Sequence, residues 1–179
     1  PVNFVDRHFR KFLKHIGEMR MKFDRSLEID GTNRAAFVAN SMGDQGSYSD
    51  LEVSQINQGV ANLAMFNNLP NRKQIPSASR LSKYEIVRKK SETNAYGKAS
   101  TVVRASPQQI IAYQFDFMAR HLQKSEMINA RVVKKVNNHN KLVYMEKVMP
   151  NPTLNREFLM RFVWRKRDEK GGRYVFVIT

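Results

Sequence analysis

The side chains that could do chemistry in this 179-residue chain are cations and aromatics, not nucleophiles or metal ligands. The four histidines (His8, His15, His121, His139) are scattered, and each reads as a surface residue. None falls in an H-E-x-x-H pattern, and no G-x-S-x-G elbow, P-loop or G-x-G-x-x-G occurs. Cysteine is absent, which removes thiolate nucleophiles, disulfide frameworks and Cys-ligated zinc or iron–sulfur sites together. Only nine Asp and Glu fall between residues 51 and 179, in no arrangement that pairs two carboxylates. We therefore expect no catalytic residues, no metal and no cofactor, and read the chain as a binding protein.

The most informative chemistry lies in the stretch Glu157 to Lys166. Read as a strand, it places Phe158, Met160, Phe162 and Trp164 on one face and Leu159, Arg161, Val163 and Arg165 on the other. The first face is continuous and apolar, and we expect Tyr144 from the preceding strand and Phe176 from the following one to join it. Arg161, Arg165, Lys166, Arg167, Lys170 and Arg173 cluster around the next hairpin. A single-strand stacking platform needs aromatics and cations on the same face, whereas alternation sends most of these to opposite faces. No specific nucleic acid is expected, and Arg161, Arg165, Lys166, Arg167 and Lys170 become candidates for an anionic membrane surface, at about 1 kcal/mol per cation.

The charge balance agrees. Lys and Arg number 31 against 16 Asp and Glu, giving +15 and a pI near 10.3, which attracts phosphate-rich surfaces of lipid or nucleic acid alike. Residues 1–50 carry 8 basic and 7 acidic side chains and residues 51–179 carry 23 and 9, so the excess belongs to the second segment. The apolar run Ile110–Met118 is short and broken by Gln114 and Asp116, so no stretch approaches the length that spans a bilayer. We expect a cytoplasmic protein that is soluble or peripheral to membranes.

The elements that must hold these residues follow from periodicity. Val5, Phe9, Phe12, Leu13, Ile16, Met19, Phe23 and Leu27 form one stripe of a basic amphipathic helix. The Gly-, Ser- and Asp-rich stretch Ser41 to Asp50 predicts a linker, so we divide the chain into 1–50, the basic helix and linker, and 51–179, the main domain. Ser49 or Asp50 caps a helix with Glu52 in its first turn and a stripe of Val53, Ile56, Val60, Leu63 and Phe66. Tyr84 to Arg88 and Ala99 to Arg104 then read as a hairpin around Glu92-Thr93-Asn94. Ser106-Pro107 opens a helix predicted to run to about Arg120. Strands are predicted from Ile128 to Val136, Leu142 to Val148, Glu157 to Lys166 and Tyr174 onward, turning at Asn137-Asn138-His139-Asn140 and Lys170-Gly171-Gly172. Helix, two strands, helix and an antiparallel meander make an α+β fold.

Three stretches carry a resemblance: Val102-Val103-Arg104-Ala105-Ser106-Pro107, Asn138 to Tyr144, and Pro150-Asn151-Pro152 followed by Asn155-Arg156-Glu157-Phe158. The segment from Tyr84 to Thr179 resembles the steroidogenic-acute-regulatory-related lipid transfer (START) superfamily, with Arg156-Glu157-Phe158 similar to the family's Arg-Asp-Phe motif. The resemblance implies a helix-grip fold: a curved antiparallel sheet with flanking helices around a cavity for one lipid, closed by a C-terminal helix. Residues 51–70 then correspond to its first helix, 84–104 to its first strands and 107–120 to its helical insertion. By that register the chain stops before the closing helix. We therefore expect an incomplete domain, with the basic front helix as the possible end of a preceding one.

The same resemblance implies a lipid ligand for Tyr144, Phe158, Met160, Phe162, Trp164 and Phe176, and a structural role for Arg156 and Glu157. Where some members hold a buried Arg this chain has Phe162, so a polar anchor is not expected there. Apolar burial suffices without it: a chain of roughly sixteen carbons at about 0.8 kcal/mol each offers on the order of 10 kcal/mol, against about 1 for a lone hydrogen bond. The expectation is a lipid transfer or sensing module at membrane surfaces, and the alternative is a basic RNA- or protein-binding module on a ligand-free helix-grip scaffold.

Overall fold

The computed structural model describes residues 31–43, 46–77, 79–88, 95–117, 127–148, 155–167 and 172–179. The predicted front helix from Val5 to Leu27, the turn at Glu92-Thr93-Asn94, Pro150-Asn151-Pro152 and the Lys170-Gly171 part of the last turn lie outside them. The described elements run α1 (Gly31–Met42), α2 (Asp50–Asn68), β1 (Lys73–Ile75), β2 (Ser82–Arg88), β3 (Ala95–Thr101), α3 (Pro107–Phe115), β4 (Met127–Asn137), β5 (Asn140–Val148), β6 (Asn155–Lys166) and β7 (Tyr174–Ile178). To the α+β order read from the sequence the structure adds α1 and the short β1, and β3 begins at Ala95 and not at the predicted Ala99.

Local chemistry sets the boundaries. α1 ends where Gly43 takes φ +51°, and a Cβ there would stand 2.6 Å from the Asn138 amide nitrogen, so conformation and space both reserve the position for glycine. α2 opens on a reciprocal cap: the Glu52 N–H donates to Ser49 Oγ at 3.4 Å and the Ser49 N–H to Glu52 Oε2 at 2.8 Å. α3 repeats the device with Ser106 and Gln109, and Pro107 occupies the first turn, where its missing N–H costs nothing. It ends at Phe115, where Asp116 leaves helical geometry (ψ 81°), and residues 118–120 of the predicted helix lie outside the described residues.

The strands make two antiparallel sheets, β1-β2-β3 and β4-β5-β6-β7. The chain divides into two compact units, one with residues 62–104 and the other with 31–61 and 105–179. In the first, Ile75, Tyr84 and Ile86 pack together, Arg72 reaches Glu85 at 3.4 Å, and Lys98 donates to Asn67 at 2.7 Å.

In the second unit the meander β4–β7 is the platform for everything that follows. One face packs against α1 and α3, with Met42, Ile111, Ala112, Phe115, Phe117, Val143, Phe162 and Trp164 as its buried core. Val163 and Val177 point the other way, where α2 meets the sheet so closely that a Cβ on Gly59 would stand 2.7 Å from Val177 Cγ2. The β4–β5 ladder slips between Met127 and Asn129, Val132 and Lys134, and Lys135 and Asn137. Each slip bends and twists the strand, which is how a sheet gains curvature.

Candidate functional site

The predicted apolar wall exists, and its two ends differ. Phe162 and Trp164 are 0% and 1% exposed, enclosed by side chains of α3 and by Phe117 beyond it. Phe117 meets Phe162 edge-on at 5.4 Å, Phe176 meets it at 5.3 Å, and Phe115 meets Trp164 at 6.4 Å. This end is packed core. Towards the start of β6, Phe158 and Met160 are only half-buried, as are Met145 on β5 and Phe176 on β7. Val143 pairs with Met160 and Met145 with Phe158, so these two β5 residues share the wall.

Tyr144 does not. It pairs with Leu159 in β6 and Arg131 in β4, which puts it on the opposite face from Phe158, Met160 and Phe162. With a side-chain period of two, one residue of register moves a side chain through the sheet. Tyr144 lies instead under the Arg131 guanidinium, 4.9 Å from the ring centroid. Burial, followed by the charges of Glu157 and Glu146 and a hydrogen bond to Glu157, raises its hydroxyl pKa against the opposing pull of Arg131.

The motif pair is exposed: Arg156 stands opposite Lys147, and Glu157 opposite Glu146. Of the basic candidates, Arg161 is half-buried, Arg165 is exposed with its guanidinium 5.2 Å from the Tyr48 ring centroid, and Arg167 is exposed and donates its N–H to Arg173 O at 2.7 Å. Lys166 stands opposite Tyr174, at the wall's end of the strand, and Lys170 lies outside the described residues. A cation not foreseen on this side is Lys141, opposite Phe162 and largely buried, with its ammonium 4.0 Å over the Phe115 ring.

A buried polar cluster was also missed. Glu52 (2% exposed) accepts from Asn140 Nδ2 at 2.5 Å and Asn137 Nδ2 at 2.9 Å through Oε1, and lies 3.3 Å from His139 Nε2 through Oε2. Burial alone would raise its pKa, but hydrogen bonds from Asn140, the Ser49 N–H, Asn137 and His139 outweigh it and hold the carboxyl at about 2. His139, expected at the surface, is 0% exposed: its ring stacks on Tyr48 at 3.9 Å, and its carbonyl accepts the Trp164 N–H. Tyr48 donates to the Trp164 carbonyl at 3.1 Å. Its hydroxyl is pushed up to about 12, first by burial, with Arg165 opposing and Glu52 adding. The cluster clamps the β4–β5 turn to the start of α2. The capping signature of Ser49 and Glu52 was visible in the sequence, but the landing of that carboxylate on a turn some ninety residues later was not.

Among the described residues no group of His, Cys, Asp and Glu could hold a metal ion, and no helix is long and apolar enough to cross a membrane. An open depression of about 480 Å³ beside Asp50, Val53, Ser54, Asn57, Gln58 and Ala61 of α2 is distinct from the apolar wall.

The scaffold is thus an antiparallel α+β one in which a bent meander carries an apolar wall under two helices. No family model matches the chain, and no curated protein does. Solved structures do: the lipid transfer and protein localization domain of human StarD13 (DLC2) is 18% identical with a TM-score of 0.50, over 69% of this chain and 63% of that one. A STAR-related lipid transfer protein fragment from Xanthomonas axonopodis is 12% identical with a TM-score of 0.51, over 60% of this chain and 58% of that one. The fold is START-like, and the chain spans about three-fifths of each of these structures.

Proposed function

We propose that this protein binds a single apolar lipid against the half-open end of the wall, for transfer or sensing at membrane surfaces. The observation that carries the reading is the unequal burial along one face of β6: Phe162 and Trp164 are sealed, while Phe158 and Met160 remain half-buried beside Met145 and Phe176. The START-like fold and the named lipid transfer role of the two similar structures support it. Ligand contact falls to Phe158, Met160, Phe176 and Met145, with Phe162 and Trp164 as the floor behind them. The cations Arg161, Arg165, Lys166, Arg167 and Lys170 serve an anionic leaflet.

The reading is tested by uptake of a fluorescent long-chain fatty acid. Buried acyl chains bind independently of ionic strength, so affinity should change less than twofold between 50 and 200 mM salt, whereas phosphate-driven binding falls steeply over that range. Met160→Asp, with native Trp164 emission as the check on folding, should lower affinity by at least tenfold. Equal uptake by variant and parent would remove the wall from the binding site. The alternative, a basic RNA- or protein-binding module without lipid, gains from the stacking of Arg131 on Tyr144 at the outward face, and predicts no uptake at any salt concentration.

A further inference from the structure

We infer that the outward face of β4, β5 and β6 is a docking face for an anionic lipid leaflet, centred on Leu159. The inference rests on the membrane-surface part of the reading above and names the surface that makes contact. It follows from register. Arg131, Tyr144 and Leu159 form one cross-strand row, and Lys134, Leu142 and Arg161 form the next. The following row, Asn137, Asn140 and Val163, meets Glu52 at the start of α2. Beyond it Leu159 is 63% exposed and Arg131 and Lys134 are exposed.

Charge complementarity selects the partner. On this face the three strands carry four Lys and Arg (Arg131, Lys134, Arg161 and Arg165) against two acids, Glu146 and Glu157, both in the row on the far side of Leu159 from Lys134 and Arg161. The chemistry at the centre of the patch separates a leaflet from a nucleic acid. A base needs an aromatic face to stack on, and Arg131 already lies against the Tyr144 ring. An exposed leucine beside a tyrosine, with Arg161 in the next row and Arg131 at the end of its own, suits the boundary between headgroups and acyl chains, where aromatic rings settle and long cations reach phosphate.

The test is co-sedimentation of the full 179-residue chain with phosphatidylcholine vesicles containing or lacking phosphatidylserine. Each cation near such a surface contributes about fivefold in affinity. Arg131→Gln with Lys134→Gln should therefore weaken binding to the anionic vesicles by about twenty-five-fold. Leu159→Asp should weaken it by tenfold or more, and Lys73→Gln on β1 by no more than about fivefold. All these side chains are exposed, so thermal melting should be unchanged. Unaltered vesicle binding by the patch variants overturns the inference, and so does loss of single-stranded RNA binding in the same variants with vesicle binding intact. Fatty acid uptake by Leu159→Asp separates the two proposals: uptake retained with docking lost supports both, docking retained with uptake intact sinks this face alone, and uptake absent from every form sinks the lipid cavity alone.

Discussion

Glu52 gathers four polar partners at one carboxylate of the second unit. Its carboxylate accepts from a helix cap, two asparagines and a buried histidine, and this holds its pKa at about 2 against an ordinary 4.5. A depressed folded-state pKa contributes stability that is complete above the unfolded value and is lost as pH falls towards the folded one. Between pH 5 and 2 the protein should therefore lose on the order of 3 kcal/mol through this group. Glu52→Gln should be less stable at pH 7 and show a flatter acid profile, both readable in urea melts followed by emission from Trp164, the single tryptophan. Equal slopes for parent and variant would assign acid sensitivity elsewhere. At this scale the sequence was informative about identity and poor about direction. The alternation within β6 was legible because it is intrinsic to a strand. The side of the sheet that Tyr144 faces depends on the register between strands, which neither strand's own alternation carries.

At the scale of elements, helix starts were legible because capping is local: Ser49 with Glu52 and Ser106 with Gln109 satisfy orphan N–H groups within four residues. The positions of β2 and of β4 to β7 were legible from alternation, whereas β1 was not predicted and β3 begins four residues before the predicted Ala99. The Leu63 part of the α2 stripe was not, since it is exposed and only Ile56 and Phe66 of that stripe are fully buried. Nor did the sequence show why Gly59 sits within a helix. Replacing a helical glycine by alanine ordinarily gains about 1 kcal/mol in propensity. Here the added carbon meets Val177, a stiff β-branched side chain at 2.7 Å, and overpacking costs about 1–3 kcal/mol. The two effects should nearly cancel for Gly59→Ala. For Gly59→Leu the clash wins, and the melting temperature should drop by several degrees; an unchanged melt would mean that α2 does not seat on β7 through this position.

At the scale of the molecule, a START-like α+β fold was readable from element order and from three short motifs, one of which, around Arg156, stands on an exposed strand opening. The split of the strands into two sheets was not readable, because hydrogen-bonding between distant strands leaves no local trace. The division of the wall into a sealed end and an open end depends on α3 and on Phe117 beyond it, which close over Trp164 and Phe162. The central claim is that the open end holds a lipid, and the most direct measurement is organic extraction of the purified protein followed by mass spectrometry, alongside native mass spectrometry of the intact complex. One long-chain lipid per protein molecule, lost on Met160→Asp, is the predicted result. Protein carrying no lipid, and acquiring none after incubation with vesicles, would contradict it.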